Sequence, residues 1–224
     1  MDADAVVVGA GLAGLVATCE LADAGRSVVL LDQESEANLG GQAWWSFGGL
    51  FLVDSPEQRR MGISDSLELA WQDWQGTAGW DRLTNPDGSP GPDHWGRQWG
   101  RAYVEWAAGE KRSWLRERGI SFFPVVGWAE RGDGTSGGPG NSVPRFHIVW
   151  GTGRELALRL IAALEAHPRR ANLEIRFGQR VDELLTRDGA VIGCRGVGED
   201  DGKAFEQIAG AVIVAAGGFN GNIE

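Results

Sequence analysis

The sequence predicts an α/β fold: a Rossmann-like parallel sheet with an antiparallel β-meander and an inserted helical region. Three observations support this prediction. A strand, a glycine-rich turn and a helix follow one another from residue 5. Short strand patterns separated by turn residues fill residues 173–215, and a tryptophan-rich stretch of helical periodicity lies between about 54 and 150. We expect one domain over residues 1–224, with the helical stretch as an insertion.

The N-terminal segment predicts a βαβ unit. A β-branched run from Ala5 to Gly9 is typical of a buried strand. Apolar residues then recur with helical spacing from Leu12 to Ala24, and Gly25 is a typical helix-ending residue. A second apolar strand pattern covers Ser27 to Leu31. Because strand, helix and strand follow in so few residues, the two strands are expected to be parallel.

The middle of the chain predicts mainly helices. Residues 38–53 read as a glycine-punctuated loop with a short strand, and a helix is expected within residues 64–74, with Ser64 or Asp65 as its cap. A polar turn region at 84–94 precedes one long helix from Trp95 to Arg118. On that helix a stripe of aromatic residues is expected to be a packing face. The stripe consists of Trp95, Trp99, Tyr103 and Trp106.

The C-terminal half predicts strands around one helix. A strand is expected at 120–126, a flexible loop at 131–142 and a helix at 156–164. Four short strands follow, and turns between the last three predict an antiparallel meander. These strands cover 173–177, 180–185, 190–197 and 204–208. A separate, buried strand of the parallel type is expected at 210–215.

Composition and charge exclude several classes of protein. The net charge of −10 repels phosphate backbones, so we expect neither a nucleic-acid partner nor binding to an anionic membrane. Apolar runs are too short to span a bilayer, and no signal peptide is visible. The two cysteines, Cys19 and Cys194, each lie in an apolar stretch and are expected to be buried thiols. We therefore expect a cytoplasmic protein whose partner is a small-molecule substrate and which holds no metal.

A phosphate-binding motif lies between the first strand and the first helix. Gly9, Gly11 and Gly14 have the spacing G-x-G-x-x-G. The first glycine permits the tight turn, the second lets the backbone approach a pyrophosphate, and the third allows helix and strand to pack closely. The N-terminus of the helix offers N–H groups and partial positive charge to phosphates. The motif indicates a bound dinucleotide, either a nicotinamide or a flavin dinucleotide.

An acidic residue follows the second predicted strand, at the position where dinucleotide-binding folds carry the acid that binds a ribose. The carboxylate of Asp32 can accept hydrogen bonds from ribose hydroxyls. An acid here also disfavours the 2′-phosphate of NADP.

Three blocks of the sequence form a recognisable set: "DAVVVGAGLAGLVATCELADAGRSVVLLD" at 4–32, "GGQAWWSFGG" at 40–49 and "AVIVAAGGFNGN" at 211–222. In this order they resemble one family, the FAD-binding dehydrogenases that include fumarate reductase and succinate dehydrogenase flavoproteins and 3-ketosteroid dehydrogenases. The resemblance covers essentially the whole chain. It implies a glutathione-reductase-type, FAD-binding sheet, and it favours FAD over NAD because NAD-only domains do not normally carry the second block.

The resemblance also implies which residues bind FAD and how. Ala43 stands where flavoproteins of the succinate dehydrogenase type carry the histidine that bonds covalently to the flavin, so FAD is expected to be noncovalent. Ser46, Phe47, Gly48 and Gly49 are expected near the isoalloxazine ring. The whole expected cofactor set is Gly9, Gly11, Leu12, Ala13, Gly14, Asp32, Gln33, Gly40, Gly41, Gln42, Ser46, Gly48, Gly49, Val181, Ala215, Ala216 and Gly217.

Residues for the chemistry itself are sparse. Arg145 could bind a carboxylate or carbonyl and His147 could pass a proton, while the alternative is that both are ordinary hydrogen-bonding groups at a strand edge. The resemblance implies dehydrogenation or reduction of a carbon–carbon bond beside a carbonyl, on a ketosteroid-like enone or a small dicarboxylate. It also leads us to expect that the substrate cap and the C-terminal, FAD-closing region are absent. The alternatives are a noncatalytic dinucleotide-binding fragment and an NAD-dependent dehydrogenase.

Overall fold

The computed structural model describes residues 3–133 and 138–218. The chain divides into two compact units, the first formed by residues 3–46 and 154–218 and the second by Phe47–Gly153. Within the described residues, no helix is both long and apolar enough to cross a membrane.

Nine strands and six α-helices make up the described part of the chain. The strands are β1 (Ala3–Val8), β2 (Val28–Leu31), β3 (Gly49–Phe51), β4 (Phe122–Gly127), β5 (Phe146–Val149), β6 (Leu173–Arg176), β7 (Gln179–Arg187), β8 (Ala190–Gly198) and β9 (Ala204–Val214). The helices are α1 (Leu12–Asp23), α2 (Pro56–Arg60), α3 (Leu67–Ala78), α4 (His94–Ala108), α5 (Lys111–Glu117) and α6 (Thr152–Glu165).

The first unit is built on a six-stranded sheet of order β6-β2-β1-β9-β8-β7. Strands β6, β2, β1 and β9 are parallel, with Val6 opposite Val29 on one side and Val212 on the other. Strands β7, β8 and β9 pair antiparallel, as the meander prediction requires. Val6, Leu31 and Cys194 belong to one buried cluster, so the two parts of the sheet share a core. The predicted parallel sheet with a meander is confirmed.

The last strand differs from its prediction. The sequence suggested separate strands at 204–208 and 210–215, but β9 is one strand that passes through Gly210 without a break. Its first part pairs antiparallel with β8 and its second part parallel with β1. A Cβ on Gly210 would lie 3.1 Å from the carbonyl oxygen of Asp4, so glycine here permits close approach of β1 and does not end the strand.

The second unit is not purely helical. It contains helices α2 to α5 and an antiparallel sheet of order β3-β5-β4. Its buried cluster joins Val53, Ala70, Val104 and Ala107, which come from the segment after β3 and from α3 and α4. The inserted region is therefore a unit with its own sheet and core.

Helix boundaries in the second unit differ from prediction at three places. The single helix expected from Trp95 to Arg118 is two helices, because Gly109 ends α4 and α5 starts after Glu110. The cap of α3 is Ser66, whose hydroxyl accepts a hydrogen bond from the N–H of Leu69. Helix α2 was not predicted, although Ser55 and Gln58 form a capping box with a proline between them that marks its start.

The aromatic stripe of α4 packs only along half its length. Tyr103 and Trp106 contact other aromatic rings, but Trp95 and Trp99 are 60% and 75% exposed. Small residues form the buried face instead. A Cβ on Gly100 would lie 2.9 Å from atoms of Trp74 and Trp80, so these indole rings occupy the space beside the helix backbone. The predicted packing face is thus wrong for the first turns of α4.

Candidate functional site

The glycine-rich turn between β1 and α1 is tightly enclosed at two of its three glycines. Gly9 has φ +101°, and a Cβ there would lie 2.4 Å from the carbonyl oxygen of Ala215. A Cβ on Gly14 would lie 1.8 Å from the carbonyl oxygen of Gly9. Any side chain at either position would collide with backbone atoms. The roles that the motif assigned to these glycines, a tight turn and close helix packing, agree with this geometry.

The middle glycine faces open space. No atom lies within 4 Å of the position that a Cβ of Gly11 would take. The first backbone hydrogen bond of α1 runs from the N–H of Leu15 to Gly11, at 2.9 Å, so the N–H groups of the preceding turn have no acceptor within the helix. The first turn, which includes Leu12 and Ala13, contains no acidic residue. An anion that approaches this helix end therefore meets no carboxylate on the helix itself.

Asp32 lies directly after β2 and is hydrogen-bonded to the same turn. Its Oδ2 accepts the N–H of Ala10 at 2.6 Å, and its Oδ1 accepts the N–H of Glu34 at 2.8 Å. Each carboxylate oxygen retains a further lone pair with which to accept a ribose hydroxyl. The acid predicted to bind ribose thus also fixes the backbone of the glycine-rich turn.

The second block of sequence meets the first at a pair of glycines. The N–H of Gly40 donates to the carbonyl oxygen of Ala10 at 3.0 Å, and a Cβ on Gly41 would lie 3.3 Å from the Cα of Gly11. Both glycines have positive φ. Trp44 also belongs to this contact, although it was not among the expected site residues. Its Nε1–H donates to the carbonyl oxygen of Leu39, and a Cβ on Gly40 would lie 2.8 Å from this nitrogen. A tryptophan shortly after a Gly-Gly pair is the signal that could have identified it.

The third block returns to the same place. The N–H of Ala215 donates to the carbonyl oxygen of Val8 at 2.8 Å, beside Gly9. A Cβ on Gly9 would also lie 3.0 Å from the Cα of Ala216, and Gly217 has φ +81°. Residues 219–222 of this block lie outside the described residues. The described part of all three blocks therefore converges on one turn.

These observations fit the pyrophosphate of a dinucleotide. The backbone around Gly11 is open, while Gly9 and Gly14 are closed on their inner sides by Ala215 and by the turn itself. The helix end carries no acid. N–H groups without a helical acceptor, at a helix end whose own first turn carries no acid, are an arrangement that binds phosphate.

The remaining members of the expected cofactor set lie in several environments. The hydroxyl of Ser46 donates to the carbonyl oxygen of Ala43 at 2.9 Å. In the second unit, a Cβ on Gly48 would lie 2.6 Å from the carbonyl carbon of Thr152, and one on Gly49 would lie 1.7 Å from the ring of Phe146. Packing alone therefore requires glycine at 48 and 49, whatever either residue contributes to a cofactor.

Three further residues of that set have different surroundings in the first unit. Val181 is part of β7 and packs against the buried cluster of the sheet. Gln33 and Gln42 are exposed. Neither burial nor a described hydrogen bond fixes these two amides, so both are accessible to a ligand.

Arg145 occupies a closed ionic cluster. Its side chain is 1% exposed, and its guanidinium donates to Asp65 through Nε and Nη2 and to Asp73 through Nη1, at 2.6–2.9 Å. Nη1 also donates to the side chain of Asn141. Burial alone would lower the pKa of Arg145, but the hydrogen bonds and charges of Asp65 and Asp73 outweigh it and raise the pKa. These contacts favour the structural alternative for this residue.

His147 is also buried in the second unit. Its Nε2 lies 2.7 Å from the hydroxyl of Ser55, and its Nδ1 lies 2.8 Å from the carbonyl oxygen of Arg145. Burial lowers the pKa of His147, so the ring is neutral at pH 7. Since Nδ1 faces a carbonyl oxygen, Nδ1 carries the proton and Nε2 accepts from the serine. The ring joins α2 to β5, which again favours a structural role.

A buried lysine was not anticipated from the sequence. Lys111 is 4% exposed, and its Nζ donates to the hydroxyl of Tyr103 at 2.6 Å and to the carbonyl oxygen of Phe51 at 3.1 Å. The ammonium also lies 4.4 Å from the centre of the Tyr103 ring. Burial lowers the pKa of Lys111 to about 8. Nothing in the charge pattern of residues 110–118 distinguishes this lysine from its exposed neighbours.

The glycine-rich turn at residues 9–14, with the contacting residues Gly40, Gly41 and Ala215, is called the glycine cradle below. A parallel sheet joined to a meander, with such a cradle at the end of the first strand, defines a dinucleotide-binding domain. The chain belongs to the FAD binding domain family, which matches residues 4–223. The predicted family and its cofactor, FAD, are thereby confirmed.

Curated relatives include steroid dehydrogenases and reductases. The chain is 56% identical to a KsdD-like steroid dehydrogenase of Mycolicibacterium smegmatis and 55% identical to one of Mycobacterium tuberculosis, Rv0785. These alignments cover all of the chain and 41% and 40% of the relatives. The chain is also 32% identical to a urocanate reductase of Eggerthella lenta, over all of its own length and 33% of that protein. It thus spans about 40% of the length of the steroid dehydrogenase-like relatives.

Solved structures show the same fold. A 3-ketosteroid-Δ4-(5α)-dehydrogenase of Rhodococcus jostii RHA1 superposes with a TM-score of 0.74 at 24% identity, over 97% of this chain and 46% of that one. A flavocytochrome c3 fumarate reductase superposes with a TM-score of 0.72 at 24% identity, over 97% and 34% of the two chains. The fold class predicted from the sequence is confirmed, and the family is one of FAD-dependent oxidoreductases.

Proposed function

We propose that this chain is the FAD-holding part of an oxidoreductase that dehydrogenates or reduces a carbon–carbon bond adjacent to a carbonyl. The observation that carries the proposal is the 56% identity to a KsdD-like steroid dehydrogenase along the whole chain. The glycine cradle described above supports it, because its shape and polarity suit the pyrophosphate of FAD.

In this proposal each part of the cradle has a distinct task. The open backbone at Gly11 and the N–H groups of the first turn of α1 bind the pyrophosphate. The free lone pairs of Asp32 accept the ribose hydroxyls. Gly9 and Gly14 contribute by having no side chain, since a methyl group on either would displace the backbone that binds the phosphates. The exposed amides of Gln33 and Gln42, in the same unit, are available to the rest of the dinucleotide.

We further propose that the cofactor is held without a covalent bond. Ala43 has no group that could bond to a flavin, and it lies in a short 3₁₀ helix that is fixed by the hydroxyl of Ser46. Bound FAD would supply the hydride acceptor or donor for the reaction. The protein's own residues would supply orientation and exclude water.

A ketosteroid-like enone suits this chain better than a small dicarboxylate. Recognition of a dicarboxylate requires cationic groups, but Arg145 is already paired with two carboxylates and His147 is buried and neutral. Residues 39–53 contain no charged side chain. Two large aromatic residues in this stretch, Trp45 and Phe47, are exposed. Exposed aromatic rings in a stretch of sequence without charged residues favour a flat, apolar substrate.

A second candidate function is FAD binding without turnover by this chain alone. It is favoured by the fact that the chain spans about 40% of the length of its steroid dehydrogenase-like relatives. We also propose a cytoplasmic location, where Cys19 and Cys194 would remain thiols.

The first experiment is to purify the chain, record its visible spectrum, and identify any cofactor released by denaturation. A flavin band in a one-to-one ratio, with all of the FAD released by acid, is the expected result. Protein that is colourless and gains no flavin band on titration with FAD would contradict the proposed cofactor role. A flavin that stays with the denatured chain would contradict noncovalent binding.

Turnover is tested next with the FAD-loaded protein. Oxidation of 4-androstene-3,17-dione with an artificial electron acceptor is compared with reduction of fumarate by a reduced dye. Steroid turnover without fumarate turnover supports the proposed substrate class, and the reverse result overturns it. FAD binding with neither activity identifies the second candidate function.

A further inference from the structure

The second unit contains an open-sided cavity of about 600 Å³. One wall is the face of α3 that carries Ala70, Asp73 and Trp74, and Phe51 and Asn141 contribute to the others. The volume lies in the range of small-molecule pockets, ~300–1,000 Å³. All of the lining residues belong to Phe47–Gly153, and none of them is in the expected cofactor set.

One polar atom in the wall has no partner. Asp73 is 2% exposed, and its Oδ2 accepts three hydrogen bonds, from Nη1 of Arg145 and from the N–H and hydroxyl of Ser142. Its Oδ1 is buried and accepts none from the protein residues described. An unsatisfied buried acceptor is unfavourable and uncommon in native proteins. Oδ1 is closed to solvent in this structure, so a ligand's donor would satisfy it once a small side-chain movement uncovers the atom.

The polar side chains of two other lining residues, Thr77 and Asn141, are already hydrogen-bonded. The hydroxyl of Thr77 donates to the carbonyl oxygen of Asp73 and accepts the N–H of Gly140. The side-chain oxygen of Asn141 accepts from Arg145, and its amide group donates to the carbonyl oxygen of Glu130. Among the described lining residues, the buried side-chain acceptor without a partner therefore belongs to Asp73.

The charges around Asp73 favour a cationic donor. One guanidinium, that of Arg145, pairs with two buried carboxylates, those of Asp65 and Asp73, so the cluster carries one net negative charge. Glu130 adds a carboxylate to the lining, and no lysine or arginine is among the lining residues. The rings of Phe51 and Trp74 offer apolar and aromatic surface beside it. Aromatic faces attract both flat apolar groups and cations.

We propose that this cavity binds a protonated amine carried on a flat, apolar body. The ammonium group donates to Oδ1 of Asp73 and balances the negative charge of the Asp65–Arg145–Asp73 cluster. The apolar body lies against Trp74 and Phe51. None of the lining residues belongs to the expected cofactor set, so the proposal does not depend on the proposed redox function.

The test uses tryptamine as the probe and calorimetric titration of the full chain in the presence of excess FAD. Its neutral analogue, tryptophol, has the same ring with a hydroxyl in place of the amine. We expect one tryptamine per chain, bound at least tenfold more tightly than tryptophol. No binding of tryptamine, or equal binding of the two compounds, overturns the proposal.

Two variants locate the binding. Ala78→Trp fills the cavity from an exposed position at the end of α3 and should abolish tryptamine binding, while Ala102→Trp, at an exposed position of α4 outside the lining, should not change it. Asp73→Asn should reduce the affinity for tryptamine at least tenfold and leave that for tryptophol within about twofold. If Asp73→Asn fails to fold, Ala78→Trp still decides. Undiminished binding to Ala78→Trp overturns the assignment to this cavity.

Discussion

Gly9 and Ala215, from opposite ends of the chain, are in backbone contact: a Cβ on Gly9 would lie 2.4 Å from the carbonyl oxygen of Ala215. The positive φ of Gly9 turns the chain toward α1, and Ala215 closes the space that a side chain would need. The contact joins the first strand to the last and forms one wall of the glycine cradle that we propose binds FAD.

Replacing Gly9 by alanine should therefore destabilise the fold and weaken FAD binding together. A left-handed backbone costs an alanine about 1–2 kcal/mol, and the overlap with Ala215 adds about 1–3 kcal/mol. We expect the free energy of unfolding, measured with urea, to fall by about 2–5 kcal/mol. The control is Gly25→Ala, which also has positive φ but no atom within 4 Å of its Cβ, and should lose about 1 kcal/mol with FAD affinity unchanged. Equal losses for the two variants would contradict the close contact.

Replacing Asp32 by asparagine tests its two tasks. The carboxylate accepts the N–H groups of Ala10 and Glu34, and an amide would point its NH₂ group at one of these donors. We expect the dissociation constant for FAD, measured by flavin fluorescence, to rise at least tenfold, and stability to fall by about 1–2 kcal/mol. Glu206→Gln removes an exposed carboxylate from β9 and is the matched control. FAD affinity unchanged by Asp32→Asn would remove this residue from the site.

Because burial lowers the pKa of Lys111 to about 8, we expect the free energy of unfolding to rise as the pH increases above 8. Its pKa is about 8 in the folded chain against an ordinary 10.5, so between these values the unfolded chain binds the additional proton. Raising the pH therefore relieves the cost of a buried charge, which totals about 3 kcal/mol across that interval. Burial raises the pKa of Tyr103, and its ionisation acts in the opposite direction above pH 10.

The measurement is urea unfolding of the wild-type chain and Lys111→Met from pH 7 to 9.5. Wild-type stability should gain about 2 kcal/mol relative to the variant over this range. Parallel curves for the two proteins would show that the lysine is not buried as a cation.

Because Arg145 pairs with two buried carboxylates, we expect even its conservative replacement by lysine to lower the free energy of unfolding. Lysine cannot reproduce the two-pronged contact with Asp65 and the bond to Asp73 together, so Arg145→Lys should cost about 2–4 kcal/mol by urea unfolding. Arg195→Lys changes an exposed ion pair with Glu183 and should cost less than about 1 kcal/mol. Similar small losses in both variants would contradict the ionic cluster.

The backbone geometry of the glycine cradle was predictable because its requirements are local in sequence. Gly9, Gly11 and Gly14 lie within one turn, and the roles of tight turn and close helix packing follow from their spacing alone. The position of Asp32 at the end of β2 was predictable because the direction of the strand before it was known. The hydrogen bond from Ala10 to Asp32 was not predictable, since it depends on the distance between two neighbouring strands.

The second unit was less predictable because its important contacts join distant residues. Arg145 pairs with carboxylates on the segment 65–73, and no local pattern links these positions. The face of α4 was misjudged because tryptophan was taken as the packing residue, whereas Gly100 admits the rings of Trp74 and Trp80. The break predicted at Gly210 was wrong for a similar reason, because glycine there permits the close contact of β9 with β1 and does not end a strand.

The continuity of β9 restricts where the chain can change length. The turn at residues 199–203 can be lengthened without moving either neighbouring strand. Inserting or deleting one residue between Ala204 and Ala215 would instead shift the pairing with β1, reverse the faces of all later side chains and move Ala215 away from Gly9. Related chains that bind FAD in this way should therefore vary in length at that turn and not within the strand.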